Sequence, residues 1–191
     1  MLSRSCDPVF FDGLVNTYME AVGQDLSDKQ INDTLRAEQA VLMGRLLPRA
    51  SDDAIISYAN LIVDQLDEFQ LYGTEPCLTL LVPPSNPDND TSPIYSEKTR
   101  ERELETLDII LSTYNADKPL PAQQDIWPDL EPKFVELFDA FGADNVAAME
   151  SSYDPSIDRI LVCNVSRALY SGVLSLPKRK AVNALRWLLG P

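Results

Sequence analysis

The chain reads as an all-α protein: a single-core helical bundle of seven or eight helices around a buried helix near its C-terminal end, with two proline-rich loops. Three observations predict this class. Apolar residues recur at three- and four-residue intervals through most of the 191 residues, and the two-residue alternation of a half-buried strand is not seen. Asp-Pro steps, a Ser-x-x-Gln box and isolated glycines fall where helices should start and stop. The run from 157 to 174 is apolar nearly all round, as in a helix that others cover.

Taken in order, Asp7-Pro8 opens the first helix, because Asp accepts from orphan N–H groups and a proline in the first turn has none to satisfy. Phe11, Leu14, Val15, Tyr18 and Val22 follow as its expected core face, and Gly23 ends it. Ser27 with Gln30 forms a capping box for the second helix, whose inward face is Ile31, Leu35, Leu42 and Leu46 until Pro48 stops it. Ser51 caps a third helix, with Asp52 and Asp53 well placed in its positive first turn. Its core face is Ile55, Ala59, Ile62, Leu66 and Phe69, and Gly73 closes it. Cys77 to Val82 reads as a short helix or extended connector between Pro76 and Pro83.

Residues 83–93 (PPSNPDNDTSP) carry four prolines and form a long exposed loop. An interdomain linker here is the less favoured reading. Neither half looks self-sufficient, so residues 1–191 are expected to form a single all-helical domain. A helix then runs from Ile94 to Tyr114 with a seam of Leu104, Leu107, Leu111 and Tyr114. Residues 117–128 make the second proline-rich loop, with Trp127 and Pro128 stapling it to the bundle. Phe134, Val135, Phe138 and Phe141 face inward on the next helix, and Gly142 ends it. After a turn around Val146 and Met149, Asp154-Pro155 starts the central helix. Its one polar stripe is Asn164, Arg167 and Ser171; turned inward, Arg167 would need a carboxylate such as Glu20, Asp64 or Asp139. Pro177 starts the last helix, with Ala181, Leu185 and Leu188 inward.

Composition narrows the chemistry. Lys and Arg number 16 against 30 Asp and Glu, a net charge of −14. Nucleic acid and anionic membrane surfaces repel such a chain, so the expected partner is a protein with a basic contact surface, with no nucleic acid and no membrane insertion. The dense basic cluster, Lys178, Arg179 and Lys180, reads as a solvated turn between two helices. With no histidine, Ser-His and Cys-His nucleophiles and His-ligated metals are excluded, and Cys6, Cys77 and Cys163 lack metal spacing. No cofactor and no metal are therefore expected, and the reading leans away from an enzyme. A Cys77–Cys163 disulfide would fit an exported protein. No h-region is visible in the first residues, which favours a cytoplasmic location, with a periplasmic or extracytoplasmic one as the alternative.

Carboxylates are the abundant reactive groups. Asp64, Asp67 and Glu68 stand at i, i+3 and i+4 opposite the apolar face of the third helix, and Glu101, Glu105 and Asp108 make a second strip on the fourth. Both strips, with the loop-side aromatics Tyr95 and Trp127, are candidate partner-binding residues, through steering and aromatic anchoring. The competing account is a polar face kept for solubility. The leading expectation is a non-enzymatic acidic protein-binding domain, such as an inhibitor or immunity-type factor for a basic partner. The alternatives are a carboxylate-dependent hydrolase, which would show two carboxylates converging in a concave pocket, and an extracytoplasmic regulatory or structural domain of a larger membrane-tethered protein, which would show a disulfide.

Overall fold

The computed structural model describes residues 8–24, 26–72, 96–147 and 159–190. They form eight helices: α1 (Pro8–Gly23), α2 (Asp28–Leu46), α3 (Asp52–Tyr72), α4 (Glu97–Thr113), α5 (Gln123–Phe141), α6 (Ala143–Ala147), α7 (Arg159–Leu174) and α8 (Lys178–Leu188). A 3-10 turn, Leu47–Arg49, joins α2 to α3. There is no strand among the described residues, and none of their helices is long and apolar enough to cross a membrane. The 77–82 connector, the 83–93 loop, Tyr95 and the Asp154-Pro155 start lie outside the described residues.

The local signals act as their chemistry dictates. The Ser27 side chain and the Gln30 side chain satisfy each other's backbone N–H groups at the head of α2. Ser51 Oγ accepts from Ala54 N at 3.1 Å to cap α3. Gly142 closes α5 at φ 84°, where a Cβ would be strained.

α7 is the central helix. From Leu161 to Leu174 none of its residues is fully exposed, and it packs against α3, α5, α6 and α8. Val165, Leu169 and Val173 meet Ile55 and Ala59 of α3, Leu130 and Leu137 of α5 and Leu185 of α8 in one large cluster. A smaller cluster of Ile62, Leu66, Phe69 and Cys163 continues it through Tyr58 and Tyr170, which touch both, so the core is continuous. Burying a side chain such as Phe69, which is wholly covered, stabilises the fold by about 1.5–3 kcal/mol.

Three helices turn differently from the sequence expectation. α4 packs on α3 through Thr99, Thr106, Ile110 and Leu111, while Leu104, the head of the expected seam, is 58% exposed. α5 begins at Gln123, so Trp127 and Pro128 belong to a helix and not to a loop. Pro128 and Pro132 lie inside it, both on its solvent side, which leaves Ile126, Leu130 and Leu137 free to face the core. In α1 only Leu14 of the five expected core residues turns toward the cluster; Phe11, Val15, Tyr18 and Val22 are exposed. The cause is the small face of α1. A Cβ on Gly13 would stand 3.2 Å from Leu42 Cδ1, and Gly13, half-buried Thr17 and buried Ala21 recur every four residues along the side that α2 approaches.

Candidate functional site

The first acidic strip is committed to the fold. Asp64 pairs with Arg102 of α4. Asp67 takes Arg167 of α7 in a two-pronged contact, Nε to Oδ1 and Nη2 to Oδ2, the latter 3.2 Å. The sequence suggests Glu20, Asp64 or Asp139 for that arginine; the partner is instead Asp67, because the Asn164–Arg167 stripe runs along α3. Asn164 Oδ1 accepts from Gln70 Nε2 on the same edge at 3.0 Å. Glu68 receives the Ser96 backbone N–H and the Thr99 and Ser96 hydroxyls, so its carboxylate sits at the positive start of α4. Burial pushes the Glu68 pKa up, but these three donors outweigh it and hold the carboxyl below its usual range. All three side chains are half-buried, not fully exposed as their spacing suggests.

The second strip does stand in solvent: Glu101, Glu105 and Asp108 are exposed on α4. Glu105 also lines a cleft of about 270 Å³ between α3 and α4, together with Ser57, Asn60, Asp64, Arg102, Thr106 and Ile109. Two carboxylates from different strips thus share one concavity. Acid–base work on a glycoside or ester needs one carboxyl kept protonated by apolar surroundings. Here six of the seven lining residues are polar and Arg102 holds Asp64, so the cleft offers no such setting.

A polar hub that sequence reading missed ties the start of α3, the loop after α4 and α8 together. Arg186, 3% exposed, donates from Nη2 to Ala50 O at 3.0 Å and to Asp52 Oδ1 at 2.8 Å. Lys118 Nζ reaches the same two groups at 2.9 and 3.1 Å. Burial works against the Asp52 charge, but Lys118, Arg186 and Lys178 outweigh it and lower its pKa. Arg186 Nη1 is buried without a hydrogen-bond partner among the described residues. Two of the three residues of the basic cluster ahead of it are also paired, Lys178 with Asp53 at 2.5 Å and Lys180 with Asp129 at 2.6 Å. No periodicity marks Arg186 as buried, since it lies beside the apolar stripe of α8 and not on it.

Trp127 holds the most suggestive place among the predicted residues. It is 40% exposed and stacks on Phe134 at 5.8 Å between centroids; Phe134 meets Phe138 at 6.4 Å. Phe138 and Val135 are exposed beside it. These residues lie one and two turns apart, so they form an aromatic ridge along the outside of α5. Glu131 sits within the ridge, Asp139 follows Phe138 at its far end, and Asp125 lies about 160° round the helix from Trp127. None of the three makes an ion pair among the described residues, whereas Asp129 and Glu136 are taken by Lys180 and Lys133. Because Pro128 and Pro132 have no N–H, the carbonyls of Gln124 and Pro128 lack their helical i+4 donor and remain open to other donors. Tyr95, the other predicted aromatic, lies outside the described residues.

Cys163, 2% exposed in the smaller core cluster, is disulfide-bonded. The sequence offers Cys6 and Cys77 as partners, both outside the described residues. No protein-family model matches the chain, and no curated protein or solved structure matches it either.

Proposed function

We propose that the protein is a non-enzymatic binding domain for a protein partner with a basic contact surface, of the inhibitor or immunity-factor kind. The observation that supports this most is the α5 ridge. Exposed Trp127 and Phe138 give two aromatic anchors, the residue type that dominates binding energy at interfaces. Glu131, Asp139 and the open carbonyls of Gln124 and Pro128 offer only acceptors, which suit Lys and Arg. The net charge of −14 adds long-range steering toward a cation.

The test is co-purification from the native host with the wild-type chain and with Trp127→Ala/Phe138→Ala. A partner held by the wild type and lost by a variant of unchanged circular dichroism is expected, with an on-rate that falls as salt rises. A partner retained equally by the variant, or an on-rate flat with salt, refutes the reading.

The disulfide favours a second reading of where this binding takes place, that of an extracytoplasmic regulatory or structural domain, because disulfides persist in oxidising compartments. Thiol titration of the unfolded, unreduced chain should find one free cysteine. Three free cysteines in protein recovered from its host would remove that reading.

A further inference from the structure

We propose that α1 is a second docking surface, independent of the α5 ridge, and that its occupant is an amphipathic helix of another protein carrying Lys or Arg beside its apolar face.

The face is large for a helix with no partner on that side among the described residues. Phe11 is 60% and Met19 62% exposed, and Val15, Tyr18 and Val22 are exposed between 40% and 47%. At about 100° per residue, Tyr18, Phe11, Val22, Val15 and Met19 fall within one arc of about 100°, the width of a core-facing stripe. The spacing is i, i+4, i+7, i+8 and i+11, the pattern a helix presents to another helix. The opposite side is already occupied, since Gly13, Leu14, Thr17 and Ala21 turn toward α2 and the core. Among the described residues α1 therefore has two apolar faces and one helix, α2, packed closely against it.

Charge selects the occupant. α1 carries Asp12 and Glu20, both exposed, and no Lys or Arg. Asp12 borders the stripe at Met19, about 20° round the helix from it, so an acidic group stands at the edge of the apolar face. A second copy of the chain would bring the same two carboxylates of α1, and a net charge of −14, against its own kind. Area points the same way. Five side chains about half exposed offer roughly 400–500 Å², below the ~800 Å² per partner of a standard stable interface, so complementary charge has more to contribute.

The test uses the full chain and two labelled synthetic helical peptides with the same Leu/Ile seam, one flanked by Lys and one by Glu. Fluorescence anisotropy at low salt should show the Lys-flanked peptide binding at least tenfold more tightly. Phe11→Ser/Met19→Ser should weaken that binding at least tenfold, with the circular dichroism unchanged, because neither side chain supports the core. Asp12→Lys/Glu20→Lys should reverse the preference between the peptides. Equal binding of both peptides overturns the proposal, as does binding of neither or a Phe11→Ser/Met19→Ser variant that binds as before. Concentration-dependent dimerisation in sedimentation that Phe11→Ser/Met19→Ser abolishes also overturns it, in favour of a second copy. Trp127→Ala/Phe138→Ala should leave the peptide binding unchanged, which separates this surface from the α5 ridge.

Discussion

The Arg186–Asp52 pair should respond asymmetrically to truncation from its two sides. Replacing Asp52 with Ala removes the counter-charge and leaves a guanidinium that is 3% exposed with, among the described residues, the Ala50 carbonyl at Nη2 and no partner at Nη1. Stripping one member from a buried pair costs about 3–5 kcal/mol. The Asp52 side chain is 54% exposed, so water can enter the space it vacates, which moves the expected loss to about 2–3 kcal/mol. Replacing Arg186 with Met works on the other side of the balance. It loses a charge-assisted bond to Asp52, worth about 1.5–3 kcal/mol, and also relieves the orphaned Nη1, whose desolvation costs about 1–3 kcal/mol. Lys118 still holds both Ala50 O and Asp52, so nothing is left unpaired. Arg186→Met should therefore fall within about 1 kcal/mol of the wild type. Urea titration followed by circular dichroism measures both, with the slope checked for a constant exposed surface. If Arg186→Met costs as much as Asp52→Ala, the hub is a stabilising ion pair and the burial of its guanidinium is no net burden, which refutes the expected asymmetry.

Charge reversal separates the two acidic strips. Asp64→Lys/Asp67→Lys/Glu68→Lys sets Lys against Arg102 and Arg167 and removes the carboxylate from the head of α4, so a loss of about 3–5 kcal/mol is expected from three partly exposed contacts of about 1 kcal/mol each plus similar repulsion. The same change at Glu101, Glu105 and Asp108 should stay near 1 kcal/mol or less in the same urea assay, since no ion pair among the described residues is broken there. For pH, Glu68 and Asp52 have folded pKa values held below their ordinary 4.5 and 3.8. Their contribution is present above those values and is lost as pH falls through the lowered folded ones. Glu68→Gln should flatten the stability profile below about pH 4.5 and leave its neutral limb parallel to the wild type; an unchanged acid limb would contradict the assignment.

What is legible in the sequence is whatever depends on a few neighbouring residues or on total apolarity. Ser27 with Gln30, Ser51 and Gly142 act within one turn, and α7 is apolar on too many sides to lie anywhere but the centre. Seams mislead where small or polar residues make the contact. α4 meets α3 through Thr99 and Thr106, and no hydrophobic count reveals that Glu68 and Asp64 wait across from them. Pro128 reads as a stop and so delays the expected start of α5, although two prolines four residues apart on the solvent side cost a helix little of its core face. The strip at Asp64, Asp67 and Glu68 stands out as unusual from its spacing alone, but its partners are 28 to 100 residues away along the chain, beyond any local pattern. In α1 the large residues dominate the pattern, and the Gly13-Thr17-Ala21 repeat that decides which side meets α2 carries no hydrophobic signal.

The hairpin of α1 and α2 has a consequence for how this chain can change over generations. α1 leans mainly on α2, and α2 reaches the rest of the bundle through Leu42, Leu46 and the turn that follows. Substitutions at 11, 15, 18, 19 and 22 therefore leave the packing of α3, α7 and α8 untouched and meet selection only from whatever α1 touches. Positions 13, 17 and 21 face the opposite pressure and tolerate little growth in size. A lineage could exchange one binding specificity for another by rewriting a few outer codons of one helix, with the folding core inherited unaltered. Sequenced orthologues should then show the outer set of α1 diverging in step with a partner while the inner set stays small.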